Sequence, residues 1–421
     1  MINTVDINGN ITLSYIPMKK LKTTSVGVYL HRPLTRDEAA KNALLAYVLH
    51  RGCAEYPTTR AMAEKLEDLY GASLSSGVSK VGETQILSVT ASSISDRYAP
   101  DGEPLISELT SLLLSTLFEP LTEDGIFKKI YVEQEKQTLK DNIESVINDK
   151  RAYAQLRCAE IMCPEEAYGI RKSGYPEDVD KISAEELYNH YRSIILSSKT
   201  DIFVAGDADI NALCKDIKGY ISNYDFTPCR YPSTVIKPQS GNVKNVTESL
   251  DVTQGKLSVG FRTGITPESE KYPGLVVANS VFGSGAHCKL FNTVREKMSL
   301  AYYASSQLDK AKGVMFVNAG IEFDNFDKAY NEIIRQLELV KNGTITDTEL
   351  TAAKNAVINS LNSYYDNEGH IIVYYLTERL LGTNNDIESL KERIRNVTTD
   401  DITEAAKEIA LDTVYFLKGK E

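Results

Sequence analysis

Two 28-residue stretches of this 421-residue chain align without a gap, and that repetition constrains its fold more than any other feature. Residues 25–52 read SVGVYLHRPLTRDEAAKNALLAYVLHRG, and residues 258–285 read SVGFRTGITPESEKYPGLVVANSVFGSG. Each opens on Ser-Val-Gly in a short strand, crosses a polar loop, enters an apolar helix and ends on glycine. The spacing of Ala43, Leu44, Tyr47 and Val48, and of Val276, Val277, Ser280 and Val281, predicts a helix in both. Gly52 and Gly285 suit the stop beyond each helix. A second helix, a polar turn and a strand come next in both places, as AMAEKLEDLYGASLSSGV and CKLFNTVREKMSLAYYAS. An internal repeat on this scale describes two related domains.

Between the copies, the prolines and polar residues of TPCRYPSTVIKPQSGNVKNVTES predict a linker. The expected division is a first domain over 1–228, a linker over 229–249 and a second domain over 250–421. Each half carries a long helical stretch, near 123–168 in the first and within TDTELTAAKNAVINSLNSYYDNEGHIIVYYLTERLLG in the second. Strands such as TQILSVTAS and KTDIFVAGD alternate with helices without a parallel β-α-β rhythm. The fold class is therefore α+β, with a mostly antiparallel sheet packed by helices in each half.

Hydrophobic residues make up 42% of the chain, enough for large cores without staples. The net charge of −11, with no cluster of Lys and Arg, argues against nucleic acid as a partner. Six scattered cysteines (53, 158, 163, 214, 229 and 288) form no C-x-x-C pair, which argues against a disulfide framework or structural zinc. No signal-peptide pattern and no apolar run of membrane-spanning length is visible, so the expected location is the cytoplasm. The five histidines (31, 50, 190, 287 and 370) share no H-x-x-E or H-x-x-x-H spacing, and each is expected on the surface or in a loop.

Three passages carry a resemblance. VFGSGAHCKLFNTVREKMSLAYYASS in the second half is similar to the glycine-turn, Leu-Phe, Arg-Glu-Lys and Leu-Ala-Tyr passage of the pitrilysin/insulinase family of zinc peptidases, which includes the mitochondrial processing peptidase. TDTELTAAKNAVINSL is similar to that family's Glu-Leu-x-x-Ala-Lys helix. His50-Arg51-Gly52-Cys53 falls on its Lys-Gly-Thr-like turn, and LEDLYGASLSS looks like a bacterial YmfF-type subgroup. The resemblance implies two homologous domains of the LuxS/mitochondrial-processing-peptidase-like metallohydrolase type.

Active members carry H-x-x-E-H on the first helix, where two histidines four apart share one face and hold zinc, and the glutamate takes a proton from the bound water. The resemblance places Ala43, Ala46 and Tyr47 at those positions, the third ligand position at Asn142, and the family's other acidic position at Glu135. No metal is expected on this chain. The same resemblance assigns Arg295 and Tyr302 to substrate gripping and oxyanion stabilisation, acting in trans. It also assigns the strand around Ser75 and Ser76 to backbone binding of an extended peptide. Together these assignments imply a zinc-less subunit of a heterodimeric zinc peptidase. Its partner would be a related subunit holding the zinc, and its substrate a peptide. The alternative is a peptide-binding scaffold of the same fold, possible as a homodimer, with no part in catalysis.

Overall fold

The computed structural model describes residues 2–227, 229, 233–239, 241–383 and 385–420. Contacts group the chain into two compact units. The first holds 1–144, 170–233 and 364–376, and the second holds 145–169, 234–363 and 377–421. These units are not contiguous halves. Each contains a segment that the sequence assigns to the other half.

The first unit is built on a six-stranded sheet. Its strands are β1 (Asn3–Asp6), β2 (Ile11–Pro17), β3 (Thr23–Pro33), β4 (Ser73–Val81), β5 (Thr84–Ile94) and, after the small β6–β7 ribbon (Thr122–Glu123 and Ile126–Phe127), β8 (Lys199–Gly206). Their order is β1-β2-β8-β3-β5-β4, antiparallel except for β2 against β8. Helices α1 (Arg36–Leu49), α2 (Thr59–Asp68), α3 (Leu105–Phe118) and α4 (Lys129–Ser145) come in chain order. Helix α5 (Lys150–Met162) belongs to the second unit. The short α6 (Pro176–Val179), α7 (Ala184–Ser197) and α8 (Ile210–Ile221) return to the first.

The second unit repeats the plan. Its strands are β9 (Lys244–Leu250), β10 (Gly255–Arg262), β11 (Ala301–Asp309), β12 (Val314–Ile321) and β13 (Ala410–Gly419). Its helices are α9 (Tyr272–Gly283), a π-helical stretch over Leu290–Lys297, α10 (Phe326–Lys341), α11 (Asp347–Ser363), α12 (Glu368–Leu380), α13 (Ile387–Asn396) and α14 (Thr399–Lys407). Most of α12 lies in the first unit. The sheet order, β11-β12-β10-β13-β9, matches β4-β5-β3-β8-β2 strand for strand. Its one parallel pair, β9 with β13, falls where β2 with β8 does. The α+β class with antiparallel-rich sheets is thus observed in both units. The duplication read from 28 residues extends through five strands of each sheet, β1 being an addition to the first.

Local chemistry explains the elements that matter most. The Thr35 side chain caps α1 by accepting from the Glu38 N–H, and Asp37 and Glu38 suit the positive helix start. Ala39, Ala40, Ala43, Leu44, Leu45 and Ala46 are buried, so α1 is apolar nearly all round and sits inside the first core. Past its end the chain turns through Gly52 at φ +146°, where a Cβ would lie 2.5 Å from the Tyr56 carbonyl oxygen. The helical stretch expected near 123–168 is two helices, because the Asp149 side chain caps a new start by accepting from the Arg151 and Ala152 N–H groups. Of the expected linker, 230–232 and 240 lie outside the described residues. Its end forms β9, whose alternating exposure turns Val246, Glu248 and Leu250 inward.

His31 departs from expectation, being neither on the surface nor in a loop. It lies on β3, a strand covered on both faces, with Nε2 3.1 Å from the carboxylate of Asp201 on neighbouring β8.

Candidate functional site

In the first unit, α1 and α4 bring together the positions that the resemblance singles out. Ala43 and Ala46 are buried and offer neither ligand nor base. Tyr47 is half-buried, and its hydroxyl accepts a 2.9 Å hydrogen bond from Asn142 Nδ2. A phenol and a carboxamide therefore meet at the two positions that the resemblance aligns with a histidine and a glutamate. One helical turn beyond Tyr47, Arg51 donates to Glu135 on α4, and its guanidinium lies 5.2 Å from the centre of the Tyr131 ring. Glu135 is buried and committed to that pair. Among the described residues, no group of three or more His, Cys, Asp or Glu is placed to hold a metal ion.

Strand β4 runs beside α1 at the sheet edge and, among the described strands, pairs only with β5. Ser76 Oγ donates to the Ala46 carbonyl oxygen at 2.5 Å, which pins the strand to the helix. Ser75 is exposed on the opposite side of the pleat.

The second unit repeats this arrangement. Asn279 on α9 occupies the place of Ala46 in the gapless alignment, and Ser306 on edge strand β11 approaches its carbonyl at 3.4 Å. Ser306 also donates to Asn279 Oδ1 at 2.6 Å. Arg295 and Tyr302 line one open cavity of ≈390 Å³, together with Gln254, Glu296, Ser299 and Glu322. Arg295 stacks at 4.7 Å on Phe291 and approaches Glu296 at 3.5 Å. Tyr302 is 76% exposed. The β11–β12 register shifts between Ala301 and Tyr303, so Tyr302 sits in a bulge that turns its side chain outward. The positive φ of Ser299 (51°) marks the sharp exit from the π-helical stretch. Sequence reading missed Gln254 and Glu322, because strand pairing alone carries them to this cavity.

The family model for the peptidase M16 inactive domain matches residues 181–357. Over 418 residues the chain is 36% identical to the "probable inactive metalloprotease YmfF" of Bacillus subtilis (strain 168), covering 98% of this chain and 97% of that relative. The chain belongs to the M16 peptidase family. A solved conserved protein from Enterococcus faecalis V583 superimposes with a TM-score of 0.90 at 29% identity, covering 100% of this chain and 99% of that one. The fold is shared as well by an M16 inactive domain from Pseudomonas fluorescens, with a TM-score of 0.79, 14% identity and coverage of 100% and 98%. In this M16 chain the positions of α1 that the resemblance aligns with the zinc motif carry Ala, Ala and Tyr. No helix among the described residues is long and apolar enough to cross a membrane.

Proposed function

We infer that this chain is the non-catalytic subunit of a two-chain zinc peptidase. It supplies Arg295 and Tyr302 to an active site whose zinc is held by a related M16 partner. One observation carries this reading. The Arg295 guanidinium and the exposed Tyr302 hydroxyl open onto the same cavity, while the zinc-motif positions of α1 offer neither imidazole nor carboxylate. An exposed phenol on a bulge gains nothing for the core, but it can donate to a developing oxyanion. A guanidinium beside it can grip a peptide carbonyl or carboxylate through its fork.

Metal analysis and peptidase assays on the isolated chain, then on its complex with a zinc-binding M16 chain, test the reading. The isolated chain should carry no stoichiometric zinc and cleave no peptide. In the complex, Arg295→Ala should lower turnover about 10²-fold or more while assembly, read by size exclusion, is unchanged. Zinc-dependent cleavage by the isolated chain would sink the proposal.

A second reading, peptide capture without cleavage, is favoured by the open edge of β4 with Ser75 exposed and Ser76 anchoring the strand. There, backbone pairing holds the peptide and Arg295→Ala changes nothing.

A further inference from the structure

The second unit carries a pair of cations that no carboxylate among the described residues neutralises by a direct ion pair. Arg151, in the first turn of α5, lies with its guanidinium 4.5 Å from the centre of the Tyr303 ring. Lys256 on β10 places its ammonium 5.9 Å from the centre of the same ring. Both charges thus lie within 6 Å of the centre of one phenol ring. Their hydrogen-bond partners are neutral. Arg151 donates to Ser305 Oγ at 3.0 Å, and Lys256 donates to Gln254 Oε1 at 2.6 Å. Asp149 is the acidic neighbour that Lys256 feels, but its Oδ1 is committed to capping α5.

Acidic residues outnumber basic ones 58 to 47, and while Lys256 is half-buried and Arg151 exposed without a carboxylate, Lys310 and Arg157 in the same unit have Glu378 and Glu248. Burial also holds the Lys256 ammonium below the usual lysine range, with Asp149 opposing weakly, so an added anion would relieve an existing cost. The platform is built for the ring. A Cβ on Gly320 would stand 2.5 Å from Tyr303 Cε1 and 2.9 Å from Gln254 Oε1, so only glycine lets the ring and the amide lie there together.

We propose that Arg151, Lys256 and the Tyr303 hydroxyl form a binding site for the carboxylate of an acidic peptide side chain. A planar carboxylate fits the guanidinium fork and can reach the ammonium beside it. Burial pushes the Tyr303 hydroxyl up to about 12, so it remains a donor at neutral pH. Tyr303 and Ser305 alternate along edge strand β11, so an extended segment lying on that edge passes its side chains over them. The site needs neither Arg295, Tyr302 nor a zinc-bearing partner.

Fluorescence anisotropy with the full chain tests it, using a fluorescein-labelled ten-residue peptide of alternating Glu and Thr and its Gln-for-Glu counterpart. The Glu peptide should bind about tenfold more tightly than the Gln peptide, and its affinity should fall as salt rises. Arg151→Gln with Lys256→Gln should remove that preference, and Lys256→Gln alone, which leaves Arg151 on the Tyr303 ring, should weaken it severalfold. Arg151→Lys with Lys256→Arg should retain it. Equal binding of the two peptides, or an undiminished preference in a Lys256→Gln chain with an unchanged melting temperature, overturns the proposal. The readout involves no turnover, so it stands or falls apart from the trans-acting role of Arg295 and Tyr302.

Discussion

At position 47, which the resemblance aligns with a zinc-ligand histidine, a phenol stands, and it accepts a hydrogen bond from the carboxamide of Asn142. The resemblance aligned three motif positions with α1 because H-x-x-E-H has fixed spacing on one helix, anchored here by Gly52. The meeting of Tyr47 with Asn142 was not legible in the sequence, because 95 residues separate them and no local periodicity links α1 to α4. The observed contact makes a residue-level prediction. A chain carrying Ala43→His, Ala46→Glu, Tyr47→His and Asn142→Glu should gain close to one zinc per chain by metal analysis, since two imidazoles and a carboxylate would then converge. A chain that folds but stays zinc-free would show that α1 and α4 no longer hold the ligand distance. Arg295 and Tyr302 were read through the resemblance, whereas their shared cavity depends on the bulge in β11.

At the scale of elements, α1 and α9 show how one helix can be reused. Both are apolar nearly all round, and both carry an edge strand on a serine, Ser76 and Ser306. Leu44 is fully buried in α1, so Leu44→Ala should cost about 2–5 kcal/mol in chemical denaturation. A different force holds the end of the 145–169 segment in the second unit. Arg262 on β10 donates to Glu166 at 2.7 Å and to Asp412 at 2.7 Å, and Lys312 donates to Glu166 at 2.6 Å. Burial alone would raise the Glu166 carboxyl, but Arg262 and Lys312 overcome it and hold it at about 2. Its folded value lies below the ordinary glutamate value of about 4.3, so its stabilisation is complete above that pH. It is lost as pH falls from about 4.3 to 2. Thermal melts should show that acid loss in the native chain. Glu166→Gln should flatten it and cost about 3–5 kcal/mol at neutral pH, because two buried cations lose their shared carboxylate.

Across the whole molecule, the duplication is closed by an exchange. Residues 145–169 leave the first half to join the second unit, where Ala154, Cys158, Met162 and Tyr168 pack with Val314, Phe316, Tyr415 and Leu417. Residues 364–376 go the other way, and Asp366 pairs with Lys20 at 2.6 Å in the first unit. The second half thus lacks core residues that 145–169 supply, and the first half carries those apolar residues without the sheet they pack on. Fragments 1–228 and 250–421 expressed separately should therefore fail to give cooperative melts by circular dichroism, whereas the joined chain melts cooperatively. Independent folding of either fragment would contradict the exchange. From sequence alone came the repeat, the α+β class and the helix stops. Each is written in spacings of a few residues, which backbone periodicity and side-chain chemistry decide locally. Only the tertiary structure decided which segment completes which core, how Tyr47 finds Asn142, why Tyr302 faces outward, and that Arg151 and Lys256 share one ring. Those outcomes depend on burying surface between residues far apart in the chain, and no local pattern encodes that choice.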